Sequence, residues 1–367
     1  MYRVLQVMDG LGRGGAQAFI MNNIEELYKH DIICDFLIRR DNSQYTEFVE
    51  KHLGKIILTP PFPKAFISNY FKTYQYIKEH GKEYDAIHVH ANALIYVLPL
   101  RMAKKIGIPV RIIHSHNTKT NVKWLLPLHL FNQKRILRWA NVFLACGLDA
   151  GKWMFKNENF EVIKNCIEER KFKYSQYNRD LVRKEYNIPD DCTLIGHVGA
   201  FKNQKNHRFI IRVFKEYLSK NANSKLLLLG TGILEEEIKE LVRTEGISDK
   251  VIFAGAQGNI YRYYHAMDIF LFPSLFEGLP FSIIESQMSG LPALISTNIT
   301  DEVVVTDIVK KENLNENIEL WVNDICDLLK QSINREAYAA IVSDAGYGIK
   351  STSGRLVEIY SQGKVHF

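Results

Sequence analysis

The chain has 367 residues, an apolar fraction of 46% and a formal net charge of +6. This length suits two domains better than one hydrophobic core, and the apolar fraction is that of an ordinary globular protein. The mild positive charge suits anionic small molecules or an anionic lipid surface and is too weak to indicate nucleic-acid binding. The five cysteines are scattered without a CxxC pair, which indicates reduced thiols and a cytoplasmic setting.

Short apolar stretches typical of strands alternate with longer amphipathic stretches typical of helices. This alternation predicts two α/β units, each with a mostly parallel sheet covered by helices. In the first half, strands are predicted at 3–8, 32–38, 86–89, 110–114 and 142–145, and helices at 17–29, 71–80, 93–106 and 131–139. After a polar seam near 168–191, strands are predicted at 193–198, 225–229, 251–253, 269–272 and 293–295, and helices at 207–219, 234–244 and 281–289.

The first loop contains Gly10, Gly12 and Gly15 between a predicted strand and a predicted helix. Together with Asp35, about 20 residues further on, these glycines match the dinucleotide-binding fingerprint. The pattern is short, and Asp35 falls inside a predicted strand instead of at its end. Two alternatives therefore stay open for this loop, a plain tight turn and the nucleotide-binding loop of an NAD-dependent oxidoreductase.

Two histidines and an amide, at His114, His116 and Asn117, end the predicted strand at 110–114. Ligands bind at the carboxyl ends of parallel strands, so a polar contact between these side chains and a substrate is the favoured interpretation. A zinc site would need further ligands, and the sequence offers no evident set of cysteines or carboxylates at suitable spacing. Hydrogen bonds from the imidazoles to the local backbone are the alternative.

Lys202 and Lys205 lie in a loop between a predicted strand and a predicted helix, and Gly230 follows the next strand. Lysines beside a helix N-terminus suit the binding of phosphate groups, although loop lysines are more often part of the solvated surface.

Glu277 and Glu285 lie on either side of a Gly-Leu-Pro turn that follows the apolar run at 268–273. The local pattern predicts strand, turn and helix, with Pro280 at the first helical position. Such a corner presents backbone N–H groups to an anion, usually a phosphate. Carboxylates at the same corner indicate a ligand that also carries hydroxyl groups, as a sugar nucleotide does.

Several motifs in order resemble the retaining glycosyltransferases of the GT-B type known as glycosyltransferase family 4. The likeness is strongest to bacterial members that build capsular polysaccharide, exopolysaccharide or O-antigen chains, and it runs nearly end to end. The motifs are Gly14-Gly15-Ala16-Gln17, His114–Asn117, Val198-Gly199 with Gln204–His207, and the stretch from Pro273 to Glu285.

The resemblance implies two Rossmann-like doubly wound domains facing across a cleft. An acceptor-side domain would occupy 1–170, a nucleotide-sugar donor domain 171–346, and a last helix at 347–367 would return to the first domain. It further implies retention of anomeric configuration, transfer of a hexose from a nucleotide diphosphate sugar such as a UDP-sugar, and a glycan acceptor that is lipid-linked. No cofactor and no divalent metal are expected, and the sequence contains no Asp-x-Asp motif.

The resemblance also implies roles for single residues. Catalytic contacts would come from His116 near the reacting carbon, Glu277 at hydroxyls of the transferred sugar, and Lys205 at the diphosphate leaving group. Glu285 would bind the ribose hydroxyls. The expected donor-binding residues are Gly14, Gly15, Lys202, Lys205, Gly230, Gly278, Leu279, Pro280, Phe281 and Glu285.

Ala200 departs from the family pattern, because relatives carry an arginine there as a second cation on the diphosphate. Lys202 could replace that charge in part, without the bidentate geometry of arginine. The departure keeps open the alternative of a non-catalytic subunit that binds a sugar nucleotide, and the two-domain form keeps open a nucleotide-sugar epimerase. The segment 119–139 mixes cations with large apolar residues, which suits either contact with an anionic membrane surface or an ordinary amphipathic surface helix.

Overall fold

The computed structural model describes residues 1–12, 15–41, 45–117, 123–277, 279–314 and 317–362. The chain forms two compact units. Unit 1 comprises Met1–Cys166 and Gly346–Phe367, and unit 2 comprises Ile167–Ala345.

Within the described residues, unit 1 contains a sheet of seven parallel strands. The strands are β1 (Tyr2–Val7), β2 (Ile32–Ile38), β3 (Ile56–Leu58), β4 (Ala86–Ala91), β5 (Val110–Ser115), β6 (Val142–Ala145) and β7 (Glu161–Val162). They lie in the order β3-β2-β1-β4-β5-β6-β7, so the direction of winding reverses between β1 and β4. Ligands of open α/β sheets bind at the carboxyl ends of strands beside such a reversal.

Helices cover both faces of this sheet. The α-helices in the first segment of unit 1, Met1–Cys166, are α1 (Gly15–Lys29), α2 (Thr46–Lys51), α3 (Phe66–His80), α4 (Leu98–Ile106), α5 (Leu126–Gln133) and α6 (Leu148–Phe155). Successive residues of β1 point to opposite faces, so each face has its own core. Val4 belongs to the core cluster that includes Phe19 of α1, whereas Leu5 belongs to the cluster that includes Leu100 of α4.

Unit 2 repeats this architecture with six parallel strands among the residues described. The strands are β8 (Thr193–Val198), β9 (Ser224–Leu229), β10 (Val251–Gly255), β11 (Ile269–Phe272), β12 (Ala293–Ser296) and β13 (Val309–Glu312), in the order β10-β9-β8-β11-β12-β13. Its helices are α7 (Glu169–Phe172), α8 (Gln176–Glu185), α9 (His207–Lys220), α10 (Glu235–Thr244), α11 (Ile260–Ala266), α12 (Phe281–Met288), α13 (Ile318–Leu329) and α14 (Tyr338–Val342).

The last helix, α15 (Ile349–Gln362), belongs to unit 1 and packs on α1. Ser353 donates a hydrogen bond to Asn23 Oδ1 at 2.8 Å, and Arg355 binds both carboxylate oxygens of Glu161 at 2.6 and 2.9 Å. The apolar face of α15 adds Leu356 and Ile359 to the core on the α1 side of the sheet. The expected return of the C-terminal helix to the first domain is confirmed, as is the pair of Rossmann-like parallel sheets.

Two predicted helices of the first half were misplaced. The helix predicted at 93–106 begins only at Leu98, and the one predicted at 131–139 lies at Leu126–Gln133. A proline at the start of each helix, Pro99 or Pro127, explains both bounds, because proline is tolerated in the first turn, where no N–H is needed, and not further inside. The short strands β3, β7 and β13 were not predicted. No helix among the described residues is long and apolar enough to cross a membrane.

Candidate active site

The loops after β8 and β9 are joined by backbone hydrogen bonds at the carboxyl edge of the sheet of unit 2. Phe201 N–H donates to Thr231 O at 3.1 Å, and Gly199 N–H donates to Leu229 O at 2.9 Å. Gly230 has a φ of +134°, and a Cβ atom there would lie 2.1 Å from the carbonyl oxygen of Gly199. Only glycine fits this position, so Gly230 allows the two loops to approach each other closely.

Lys205 ends a short 3₁₀ turn in that loop, and Asn206 then takes a left-handed conformation before α9 begins. The ammonium group of Lys205 donates to Glu277 Oε1 at 2.7 Å and lies 4.4 Å from the centre of the Phe272 ring. The two side chains are only 18% and 9% exposed. The structure therefore brings two of the predicted catalytic residues together as one ion pair that is largely shielded from water.

The second carboxylate oxygen of Glu277 accepts a hydrogen bond from Gln204 Nε2 at 3.0 Å. The same amide donates to Phe276 O at 3.0 Å, and Gln204 O accepts from Leu275 N–H at 2.9 Å. Gln204 thus connects the loop after β8 to the loop after β11 and orients Glu277. Gln204 was predicted only as part of a motif, since its side-chain partners Phe276 and Glu277 lie 72 and 73 positions further along the chain.

The other predicted residues of the lysine loop have no such partners. Lys202 is exposed, and its side chain makes none of the ion pairs or hydrogen bonds found among the described residues. Ala200, two residues before Lys202, has no charged side chain. The loop therefore presents one engaged cation, Lys205, and one cation that faces solvent.

Glu285 lies on α12 and has a different partner from Glu277. The hydroxyl of Tyr264, on α11, donates to Glu285 Oε2 at 2.8 Å. Burial raises the pKa of Glu285 from 4.5 to about 7, an effect that the hydrogen bond from Tyr264 partly offsets. Tyr264 was not predicted as a site residue, because nothing in the sequence pairs it with a carboxylate 21 positions away.

The turn between the two glutamates leads directly into α12. The helix begins at Phe281, as predicted, but Pro280 is its N-cap residue in an extended conformation and not its first helical residue. Leu279 and Phe281 are partly buried on either side of it. The predicted donor-binding residue Gly278 lies outside the described residues.

In unit 1, His116 directly follows β5, and its Nε2 lies 2.9 Å from Nδ1 of His90, the last residue but one of β4. His90 Nε2 lies 2.9 Å from Gln6 Oε1 on β1. Burial lowers the pKa of His116 to about 3. His116 is therefore neutral near pH 7 and suits hydrogen bonding instead of acid catalysis.

Two further histidines lie beside this pair. His88 Nδ1 lies 2.8 Å from the hydroxyl of Tyr360, and His88 Nε2 lies 3.2 Å from His114 Nδ1. Ligand atoms of His88, His90 and His114 lie within 4.8 Å of one another, which would suit a metal ion by distance alone. Hydrogen bonds already occupy both ring nitrogens of His88 and His90 and one of His114, so the cluster is a hydrogen-bond network as it stands.

The alternation His88-Val89-His90 is the sequence signal that could have revealed these partners. Residues two apart on a strand point to the same face, and His114-Ser115-His116 repeats the pattern on the adjacent strand. Of the two pairs, only His114 and His116 were predicted as site residues or candidates.

The first glycine loop is closed by Gln17, whose amide donates to Gly10 O at 2.8 Å. Gly15 is the exposed first residue of α1, and the predicted donor-binding residue Gly14 lies outside the described residues. Asp35 is fully buried and accepts hydrogen bonds from the Arg3 guanidinium at 2.8 Å and Tyr84 at 3.0 Å. Because Asp35 makes these contacts in the core, it is not available to bind the ribose of a dinucleotide.

Two units with Rossmann-like parallel sheets, and a last helix that returns to the first unit, are the architecture of the GT-B class of glycosyltransferases. The profile of "Glycosyltransferase Family 4" matches residues 13–171, and that of "Glycosyl transferases group 1" matches residues 178–342. EpsF of Bacillus subtilis, a glycosyltransferase by name, is 32% identical over 374 residues that cover 98% of this chain and 96% of the relative. The chain therefore belongs to glycosyltransferase family 4.

Two more distant similarities agree with this assignment. The UDP-Gal:α-D-GlcNAc-diphosphoundecaprenol α-1,3-galactosyltransferase of Escherichia coli is 24% identical and covers 80% of this chain and 78% of the relative. The crystal structure of HepE from Anabaena, in complex with UDP and glucose, superimposes with a TM-score of 0.72 at 16% identity, over 98% of this chain and 100% of that chain. The last similarity concerns the fold alone.

Proposed function

We propose that this glycosyltransferase moves a hexose from a UDP-sugar to a growing, lipid-linked polysaccharide with retention of anomeric configuration and without a divalent metal. The observation that carries the proposal is the shielded Lys205–Glu277 ion pair at the carboxyl edge of unit 2, with Glu285 on the helix that follows. The names of the relatives support the substrates, because the Escherichia coli enzyme is named for UDP-galactose and a diphosphoundecaprenol acceptor, and HepE binds UDP and glucose.

Lys205 is suited to stabilise the leaving group. In the reaction, the anomeric carbon gains positive charge while the departing diphosphate gains negative charge. A cation held at the diphosphate stabilises the transition state more than the ground state, which is the requirement for catalysis. Glu277 holds the ammonium group at 2.7 Å, so its position is fixed before the donor binds. Lys202 adds a second, solvated charge to the same loop.

Glu277 and Glu285 have separate tasks in this proposal. Each oxygen of a carboxylate can accept two hydrogen bonds, so Glu277 can accept from a hydroxyl of the transferred sugar while it keeps Lys205 and Gln204. Glu285 accepts from the ribose hydroxyls of the donor. Backbone N–H groups at Leu279 and Phe281, with Gly278 beside them, bind the phosphates, and Gly14 and Gly15 provide close backbone approach in unit 1. His116 contacts the transferred sugar.

The first experiment measures donor binding and transfer. We expect UDP-sugars to raise the melting temperature, since a ligand at 100 times its Kd adds about 2.7 kcal/mol to the unfolding free energy. The Lys205→Met variant should lose at least tenfold in kcat, whereas Lys215→Met, which removes a surface lysine paired with Glu245, should keep the wild-type rate. Equal rates for both variants and the wild type would exclude the proposed role of Lys205.

Metal independence and retention of anomeric configuration are each tested by a separate measurement. Activity that persists in EDTA supports metal independence, and activity that is lost in EDTA and restored by a divalent ion contradicts it. The anomeric configuration of the product, read by NMR, decides between retention and inversion.

Ala200 favours one second candidate, a non-catalytic subunit that binds a sugar nucleotide. With alanine at this position, the loop lacks the arginine expected for the family, and one charge-assisted hydrogen bond contributes about 1.5–3 kcal/mol. If Ala200→Arg raises a measurable rate, the protein is an enzyme with a weakened leaving-group site. Donor binding without any transfer or hydrolysis in either protein would instead establish the non-catalytic subunit.

The lipid-linked acceptor implies contact with an anionic membrane, and unit 1 exposes apolar side chains that suit this partner. Of the segment 119–139, residues 119–122 lie outside the described residues. The described part exposes Trp124 on 70% and Phe131 on 50% of their surfaces, and α3 exposes Ile67 and Phe71 on 70% and 63%. Exposed lysines flank α3, which favours an anionic lipid surface over a neutral one.

The loop between β4 and α4 joins these two apolar stretches. Tyr96 of this loop shares a hydrogen bond of 2.9 Å with Thr73 of α3, and Leu94 N–H donates to His129 Nδ1 of α5 at 3.0 Å. α3 and α5 therefore both contact this loop, and we propose that their exposed apolar residues bind the same lipid surface.

Co-sedimentation with vesicles tests this contact. We expect binding to phosphatidylcholine vesicles that contain phosphatidylglycerol, and weaker binding to phosphatidylcholine alone. The double variant Ile67→Ser, Phe71→Ser should bind less, whereas Ile233→Ser, which removes a 90% exposed side chain from unit 2, should bind like the wild type. Binding that does not depend on the anionic lipid would contradict the proposal.

A further inference from the structure

A buried amide, Gln6 on β1, lies at the junction of two chains of hydrogen bonds that run through the histidine network. One arm runs from Gln6 Oε1 to His90 Nε2 at 2.9 Å, and from His90 Nδ1 to His116 Nε2 at 2.9 Å. The other arm runs from Gln6 Nε2 to the hydroxyl of Tyr360 at 3.1 Å, and from that hydroxyl to His88 Nδ1 at 2.8 Å. Only the first arm ends at a predicted site residue.

The chemistry of the amide fixes the positions of the protons along the first arm. Burial lowers the pKa values of His90 and His116, so each neutral ring carries one proton. Gln6 Oε1 can only accept, which places the proton of His90 on Nε2. His90 Nδ1 must then accept, which places the proton of His116 on Nε2. His116 Nδ1 is left with a lone pair.

The free lone pair is buried and unused by the protein. His116 Nδ1 has no hydrogen-bond partner among the described residues, although it is shielded from solvent. A buried acceptor without a donor is unfavourable, and a ligand that brings an O–H group removes the cost. The opposite tautomer would present an N–H group there and would need an acceptor from the ligand.

We propose that Gln6 is a positioning residue that acts through His90 and fixes His116 in the tautomer whose Nδ1 accepts a hydrogen bond from a hydroxyl of the transferred sugar. The inference rests on the proposed function, and it adds two residues, Gln6 and His90, that act without touching the substrate. The distinction matters for specificity, because a fixed acceptor favours a hydroxyl at that position of the sugar over a group that can only accept.

The test combines a spectroscopic readout with kinetics in the full-length protein. In ¹⁵N-histidine-labelled wild type, the ring nitrogens of His116, assigned by their loss in His116→Gln, should show an unprotonated Nδ1 and a protonated Nε2. Gln6→Met removes the amide and should leave His116 as a mixture of tautomers. We expect this variant to lose about tenfold in kcat/KM for the donor, with the Kd for UDP unchanged because UDP lacks the transferred sugar.

Two further variants separate positioning from a general effect on the core. Gln6→Glu keeps an oxygen acceptor towards His90 and should restore both the tautomer and the rate. Tyr360→Phe removes a hydrogen-bonding group of similar burial from the other arm and should leave the His116 tautomer and kcat/KM near those of the wild type. Equal losses in Tyr360→Phe and Gln6→Met would overturn the inference.

The outcomes also separate this inference from the proposed function. A wild-type protein that binds no sugar nucleotide contradicts the proposed function. A wild-type protein that binds and transfers but carries a protonated His116 Nδ1 contradicts the role of Gln6 alone, and this measurement needs no variant to fold.

Discussion

The raised pKa of Glu285 predicts that both stability and donor binding depend on pH in a way that Glu285→Gln removes. The carboxyl group titrates near 4.5 when exposed and near 7 in the folded protein. The folded state therefore holds this proton more tightly than the unfolded state. The resulting stability is fully present below pH 4.5 and is lost as the pH rises to about 7, with a total of about 3 kcal/mol.

Between pH 6 and pH 8, the contribution of Glu285 to the unfolding free energy should fall by about 1.3 kcal/mol. Urea unfolding of the wild type and of Glu285→Gln at the two pH values measures this contribution. The difference between the two proteins cancels the titration of the groups that they share. The variant should gain stability relative to the wild type as the pH rises.

Donor binding should change in the opposite direction, because a ribose hydroxyl donates to the ionised carboxylate. For a group with a pKa near 7, the affinity should rise about tenfold from pH 6 to pH 8. Calorimetry with UDP-glucose is the suitable assay, since neither of its phosphates titrates in this range. Glu285→Gln should bind more weakly and without this pH dependence. An affinity of the wild type that stays constant over this range would refute the assignment of Glu285 to the ribose.

Three further predictions concern the site and its support. Glu277→Gln frees Lys205 from its partner, so UDP should bind several-fold more tightly while kcat falls at least tenfold, as measured by calorimetry and transfer assays. Gly230→Ala should cost about 2 kcal/mol or more in urea unfolding, because the new Cβ meets a backbone oxygen at 2.1 Å, whereas Gly246→Ala, with open space at its Cβ, should cost less. Glu161→Gln weakens the ion pair that holds the last helix and should lower the unfolding free energy by about 1 kcal/mol, and an unchanged value would mean that the apolar face of this helix suffices.

Much of the architecture could be read from local pattern. The strands at Ile32–Ile38, Val142–Ala145, Thr193–Val198 and Ile269–Phe272 have the predicted bounds, because buried parallel strands are continuous apolar runs. The short strand Glu161–Val162 escaped prediction, since a two-residue strand at the edge of a sheet has too few side chains to show a period.

The candidate site was predictable only where a motif carries its own chemistry. Glu277, Glu285 and Lys205 were chosen because carboxylates and lysines beside a turn or a helix N-terminus indicate a ligand with hydroxyls and phosphates. Their partners Gln204 and Tyr264 were missed, because neutral polar residues are common in loops and helices, and their contacts arise only when the loops meet.

The sequence by itself determined the class of fold, the order of the motifs and the residue types that the chemistry needs, since each of these depends on neighbours along the chain. Only the tertiary structure decided the pKa values, the positions and the protonation of those residues. Burial and a tyrosine hydroxyl set the pKa of Glu285, and an ion pair across two loops fixes Lys205. A buried amide on the first strand sets the proton of a histidine 110 positions later. These properties depend on distance through space and on exclusion of water, and packing alone creates both.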